Sequence, residues 1–392
     1  MNQPVLTALV RTPIGRMMGA FSNFSAAQLG AVAIKEVVNR AQIQAEEIDH
    51  VFMGQVISAG CAQSTARQST IFSGLPVSVG AVTINKVCGS GLMAVIWAAQ
   101  AVKAGDFDII VAGGTENMTM APYLLPRARS GYRYGNSTFI DAMYHDGLYD
   151  IYNDFPMGMT GEIVAERFNI SRSEMDEFAL RSHQRAVAAT ESGAFNNEIV
   201  PVELKTRKGQ RTVTQDEGPR KDTNLEALAK LKPVFKKDGK VTAGNASQIS
   251  DGASATVVMN EDVAKEKGIP ILARIVDYGT SATKPEWVME APVTGARQLL
   301  DKTGMTVKDM DLIEHNEAFA AASCAVQNEL EIPDHKFNVN GGAVSLGHPL
   351  GNSGSRILVT LYHALTNHEK KRGLATICLG GGESVSLIIE RL

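Results

Sequence analysis

The chain is poor in what would place it in several common classes. Only four cysteines occur in 392 residues, Cys61, Cys88, Cys324 and Cys378. They are far apart, with no CxxC and no Cys/His pairing, which argues against a disulfide framework and against a zinc site. Charge of one sign is also missing. The formal net charge is −4 with both signs interspersed, so no polyanion-binding surface is expected and nucleic acid is not an expected partner. No apolar run is read as long enough for a membrane span, and "MNQPVLTALVRTPIGR" has neither the order of a signal peptide nor the Ser/Arg bias of a transit peptide. A reducing cytoplasm is the expected location, where thiols are free for chemistry.

What is present is an α/β pattern. Short apolar runs such as "VFMGQVI" and "DIIVAGG" alternate with the helical stretch "LMAVIWAAQAVKAG", as in architectures with buried strands. A weak internal duplication adds to this. "PVLTALV" from Pro4 matches "PILARIV" from Pro270, and "AQIQAEEIDHV" from Ala41 matches "TGMTVKDMDLI" from Thr303. The two offsets are nearly equal, so two halves of like fold are expected. Between them, composition turns polar and basic in "RARSGYRYGN", "KTRKGQRTVTQDEGPRK" and "KPVFKKDGK". This stretch reads as an insertion, either a solvated excursion or a lid carrying basic residues to an anionic ligand. The expected division is 1–118 with 251–268, the insertion 119–250, and 269–392.

The chemistry starts at "INKVCGSGLMAV", which sets Cys88 between a strand and an apolar helix. A buried structural cysteine is the ordinary reading. Gly89, Gly91 and Ala94 also fit a dinucleotide GxGxxA, but that motif wants an acid ending the next strand. Here Asp106 and Asp108 precede the strand instead. A thiol at a helix N-terminus is expected to have a lowered pKa, and the flanking glycines are expected to let a substrate carbonyl approach the backbone. The duplication carries Cys88 into "NGGAVSLGHPLGNSGSRI", next to His348, the candidate base that a nucleophilic thiol needs. Asn316 in "EHNEAFAA" and Cys378 in "ATICLGGGE" stand at further strand ends. The first is a candidate for holding a water or an oxyanion. The second is either a packed thiol or a proton carrier.

With these residues assembled, the chain resembles the thiolase family from end to end. "RTPIG", "NKVCGSG", "GGTENM", "AGNAS", "NEAFAA", "NGGAVSLGHPLG" and "CLGGG" occur in family order. The resemblance implies a five-layer αβαβα core of two duplicated α/β halves with an inserted loop domain. It implies acyl transfer between CoA thioesters, acetyl-CoA and acetoacetyl-CoA with CoA, without metal or redox cofactor. Cys88 would take the acyl group, His348 would activate it, and Cys378 would exchange the α-proton. Asn316 would hold a water beside His348, and the N–H groups of Cys88 and Gly380 would form an oxyanion hole. Ser247, Met157, Leu148, Phe235, Ala318 and Phe319 would line the substrate path, with Arg220 near the nucleotide end of CoA. A homotetramer, joined near "RSGYRYGN", is implied as well. Two departures leave chain length open between an acetoacetyl type and a broader 3-ketoacyl type. Glu383–Ser384 stand where many thiolases have Gln or Met and then Gly, and Pro156 stands where acetoacetyl-specific members have histidine. A non-catalytic acyl-CoA binder, the remaining alternative, would be expected to have lost some of Cys88, His348, Asn316 and Cys378.

Overall fold

The computed structural model of the chain describes residues 2–206 and 209–392. Arg207 and Lys208, in the basic stretch of the expected lid, lie outside the described residues. The first half runs β1 (Pro4–Arg11), α1 (Ala26–Ala41), β2 (His50–Gly54), α2 (Thr65–Phe72), β3 (Gly80–Ile84), α3 (Ser90–Ala104) and β4 (Ile109–Asn117). After the helices α4 (Gly158–Arg167) and α5 (Arg172–Glu191), β5 (Ser250–Asn260) returns to lie antiparallel between β1 and β4. The second half repeats this as β6 (Ala273–Ala282), α6 (Ala291–Thr303), β7 (Leu312–His315), α7 (Ala320–Glu329), α8 (Leu350–Asn367), β8 (Arg372–Leu379) and β9 (Glu383–Arg391).

The strand order β7-β8-β9-β6-β1-β5-β4-β2-β3 makes the duplication visible. Outward from the centre, β1, β5, β4 and β2 are mirrored by β6, β9, β8 and β7. The halves join where β1 and β6 pair through only two residue pairs, Val5↔Arg274 and Leu6↔Ala273. The edge strand β3 has no full counterpart: a single bridge, Ile313↔Phe337, stands where Val51↔Ala81 pairs in the first half.

Side-chain alternation divides the layers. Leu6 and Leu9 of β1 enter a core with Leu92 and Ile96 of α3 and Leu358 and Leu361 of α8. Val5 and Val10 face a second core with Leu29, Ile34 and Val37 of α1. A third core joins α6 and α7 to the far side of the second half through Leu299, Leu300 and Ala325. Helices α3 and α8 touch strands of both halves and form the middle of the five layers, where each fully buried Leu or Ile contributes about 1.5–3 kcal/mol. The outer helix α1 is amphipathic and starts at a capping box, Ser25 Oγ accepting from Gln28 N and Gln28 Oε1 from Ser25 N.

One expectation from the sequence needs correction. Val87–Ala104 is, by length and composition, apolar enough to cross a membrane. Its residues are mostly buried because α3 is the central layer, so all-round apolarity here reflects a helix covered on both sides.

The insertion is bound to the core by a buried ion-pair group. Arg11 Nε donates to Glu198 at 2.6 Å, and its Nη atoms donate to Asp216 at 2.7 and 2.9 Å. Asp216 also accepts from the Ile14 N–H. The arm around 125–139 leaves the body from a small hairpin, Tyr123–Leu124 with Ile140–Asp141, and its Tyr134 and Phe139 are exposed.

Candidate active site

Cys88 and His348 sit at equivalent places on the two central helices. Each directly precedes the N-cap residue, Gly89 for α3 and Pro349 for α8. The helices approach closely at their starts. A β-carbon on Gly91 would lie 2.5 Å from Ser355 Oγ and 2.9 Å from Gly351 O, and one on Gly354 would lie 2.7 Å from the Leu92 nitrogen. The glycine at 91 therefore serves helix packing. Gly89 likewise packs against Leu379 and Val385. This corrects the expectation that these glycines open the backbone to substrate, and it explains the accidental GxGxxA.

The turn presenting Cys88 is strained. Val87, β-branched, has φ 45°, a conformation costing about 1–3 kcal/mol. It is held by Val87 N–H to Asn85 Oδ1 at 3.0 Å, Lys86 N–H to Ser90 Oγ at 2.8 Å and Ser90 Oγ to Val87 O at 2.6 Å. Opposite runs the turn between β8 and β9. Gly381 and Gly382 have φ of 90° and 83°, which favours glycine, and Gly380 abuts Val87, with a β-carbon falling 3.2 Å from Val87 Cγ1.

One cavity brings most of the candidate residues together. Cys88, His348, Cys378, Gly380, Leu148, Met157, Ser247, Ala318 and Phe319 all line it, with Met289 and Val288. Asn316 stands just behind, fully buried, its Nδ2 3.5 Å from His348 Nε2 and its Oδ1 without a partner. The cavity continues into an apolar channel that shares Leu148, Met157, Ser247 and Phe319 and adds Phe235 and Pro156. Phe235 and Phe319 meet edge-to-face there, with centroids 6.4 Å apart. Gln248 lines both this channel and a third, more polar cavity, which holds Arg220, His183 and Thr223. Arg220 is exposed and makes no ion pair with any described residue. Of the neighbouring basic residues, Lys221 pairs with Glu191 and Lys236 with Glu166. The AGNAS and NEAFAA segments are stitched together, Ser247 N–H to Ala318 O at 3.0 Å and Ala320 N–H to Asn245 O at 2.9 Å.

The electrostatics overturn one expectation. Burial pushes the Cys88 thiol up to about 12, although the N–H groups of Gly380 and of Cys88 itself hydrogen-bond to the sulfur and favour the thiolate. Desolvation outweighs the helix N-terminus. His348 is held down at about 3, by burial first and by the Arg356 charge second. Both shifts favour a neutral thiol and a neutral imidazole at rest. Burial also raises Cys378, with the nearby Cys88 charge adding to it. Its thiol donates to Met289 Sδ at 3.8 Å.

Two positioning residues were not read from the sequence. Ser353 Oγ lies 2.6 Å from His348 Nδ1 and donates to Pro349 O at 2.9 Å. With its one proton so committed, the hydroxyl accepts from Nδ1–H, which leaves Nε2 unprotonated, with Asn316 Nδ2 3.5 Å from it. The other is Glu116, buried in GGTENM. It accepts from the N–H groups of Val56, Ile57 and Gly351, at 3.0, 3.2 and 2.9 Å for its closest bonds, and so ties the start of α8 to the first half. Burial raises its carboxyl to about 7.

Comparisons with known proteins identify the family. The family model described as "Thiolase, N-terminal domain" matches residues 5–262, and "Thiolase, C-terminal domain" matches 269–391. The acetyl-CoA acetyltransferase of Pseudomonas aeruginosa is 48% identical over 392 residues, covering 100% of both chains. That of Syntrophomonas wolfei is 50% identical over 395 residues with the same coverage. The crystal structure of the Bacillus anthracis acetyl-CoA acetyltransferase superposes with a TM-score of 0.98 at 42% identity, over 100% of this chain and 99% of that one. With both family models matched and relatives aligned end to end, the chain belongs to the thiolase family.

Proposed function

We propose that the protein is an acetyl-CoA C-acetyltransferase, joining two acetyl-CoA to acetoacetyl-CoA and CoA and cleaving the product in reverse. The observation that carries this reading is the convergence of Cys88, His348, Cys378 and the Gly380 N–H on one narrow cavity. In the first half-reaction, Cys88 Sγ attacks the thioester carbonyl as His348 Nε2 accepts its proton. The developing oxyanion takes the N–H groups that now bond the sulfur, and the CoA thiolate leaves with the proton from His348. In the second, once CoA has left, Cys378 passes its proton to His348 and its thiolate removes an α-proton from a new acetyl-CoA. The enolate oxygen is stabilised beside His348 and Asn316, the enolate carbon attacks the acyl group on Cys88, and the Cys88 thiolate so expelled takes the proton from His348. The raised pKa of both thiols suits this sequence, since each thiolate forms only when a partner is in place to take or give the proton. The channel past Phe235 and Phe319 suits a pantetheine arm, and Arg220 suits the phosphates. No metal or redox cofactor enters this chemistry.

The names of the two aligned relatives and of the superposed structure support the acetoacetyl type over the broader 3-ketoacyl type. So does the lining of the cavity beside Cys88 by the long side chains of Leu148, Met157 and Met289. Thiolysis rates with acetoacetyl-CoA and with 3-ketoacyl-CoA of six and eight or more carbons test the choice. The expected outcome is a fall of at least tenfold at six carbons, since a side chain must be displaced to admit the longer tail. Equal rates would favour the broader enzyme. A cytoplasmic dimer of dimers, joined through the exposed arm at 125–139, and a place in fatty-acid metabolism complete the proposal.

A further inference from the structure

Lys86 and Glu383 form an ion pair across the mouth of the site, Nζ to Oε2 at 2.7 Å, with their side chains 24% and 36% exposed. Lys86 stands two residues before Cys88. Glu383 opens β9 and faces Leu379 in the β8–β9 hairpin, three residues after Gly380. Among the described residues this is the one ion pair between the 85–89 turn and the 379–383 turn, and the one hydrogen bond between them that joins two side chains. Each turn supplies one of the two N–H groups that converge on the Cys88 sulfur. Besides the Gly380 N–H bond to the Cys88 sulfur, the turns meet through apolar contacts, Val87 against Gly380 and Gly89 against Leu379. Such contacts hold the turns together without fixing how far one slides past the other. The three consecutive glycines at 380–382 offer no side chain of their own to do it, and glycine is the most mobile residue in the backbone.

We propose that the Lys86–Glu383 pair is a positioning clamp that fixes the separation of the two oxyanion donors, the N–H groups of Cys88 and Gly380. It rests on the reading of Cys88 as the acyl acceptor. A partly exposed pair of this kind adds little to stability. Its value lies in geometry, because donors aimed at a developing oxyanion must be in place before the charge forms.

The test measures the rate of acetyl transfer to the enzyme at saturating acetyl-CoA for the full-length wild type, Lys86→Met, Glu383→Gln, the double variant and Lys86→Arg. Each disrupting single variant should acylate about tenfold more slowly, short of the loss of a whole donor. KM should be unchanged, and the double variant should be no slower than the singles. Lys86→Arg keeps the pair and should keep the rate. Added salt should slow the wild type but leave Glu383→Gln unmoved. Two results overturn the clamp. If Glu383→Gln is as fast as wild type or faster while Lys86→Met is slow, Lys86 acts by its own charge on the site. If the singles lose rate independently and their losses multiply in the double variant, the two residues do not act as a pair. Either result leaves the acetyl group on Cys88, whereas a failure of the underlying reading would show as acetyl found elsewhere.

Discussion

At the residue scale, the proposed chemistry depends on keeping reactive groups neutral until substrate arrives. A thiol pushed up to about 12 carries a thiolate fraction that grows tenfold with each pH unit below that value. Alkylation of Cys88 by iodoacetamide, followed by peptide mass spectrometry, should therefore rise log-linearly from pH 7 to 9 with no plateau. A plateau by pH 7 would mean a resting thiolate–imidazolium pair. Ser353 offers a second check. Ser353→Ala removes the acceptor for His348 Nδ1–H, freeing the ring to turn or change tautomer. Acylation should fall about ten- to a hundredfold with KM for acetyl-CoA nearly unchanged, as measured by steady-state and rapid-quench kinetics. Cys88 and His348 were legible in the sequence because both stand beside glycine or proline just before a helix, and the duplication related them. Ser353, Met289 and Glu116 were not. Each acts through a contact that only the folded chain makes, and a lone Ser, Met or Glu has no spacing signature. The direction of the Cys88 shift was also misread, since a helix terminus is visible in sequence and the burial opposing it is not.

At the scale of elements, the site is set by how closely α3 and α8 pack. Gly91→Ala would place a methyl 2.5 Å from Ser355 Oγ and 2.9 Å from Gly351 O. The helix starts must part, and Cys88 moves from His348 with them. A stability loss of about 1–3 kcal/mol is expected from such overpacking, with a larger proportional loss of acylation, read from urea unfolding and single-turnover rates. Wild-type activity in a folded Gly91→Ala protein would show that the approach of the helices does not set the site. The α/β alternation and the two-half organisation were readable from periodicity and repeated segments. The strand order was not, because no sequence signal places the returning strand β5 between β1 and β4. The loss of a full partner for β3 in the second half was equally invisible, since "KFNVN" carries no signal that its pairing is reduced to one bridge.

At the scale of the molecule, duplication is what makes a two-base site possible. Two like halves place two helix N-termini side by side, one preceded by the proposed nucleophile Cys88 and the other by the proposed base His348, while the end of β8 adds a second thiol, Cys378. The insertion, tied down by Arg11 with Glu198 and Asp216, contributes the α4–α5 wall and the polar cavity at Arg220. The account stands on a division of labour between Cys88 and Cys378, and one measurement tests it most directly. The Cys378→Ser variant is mixed with acetyl-CoA, quenched in acid and mapped by peptide mass spectrometry, with the supernatant assayed for acetoacetyl-CoA. The account predicts one acetyl group on the Cys88 peptide and no acetoacetyl-CoA, because a serine hydroxyl is a poor base at neutral pH. Acetyl on any other residue, or acetoacetyl-CoA formed at the wild-type rate, would contradict it.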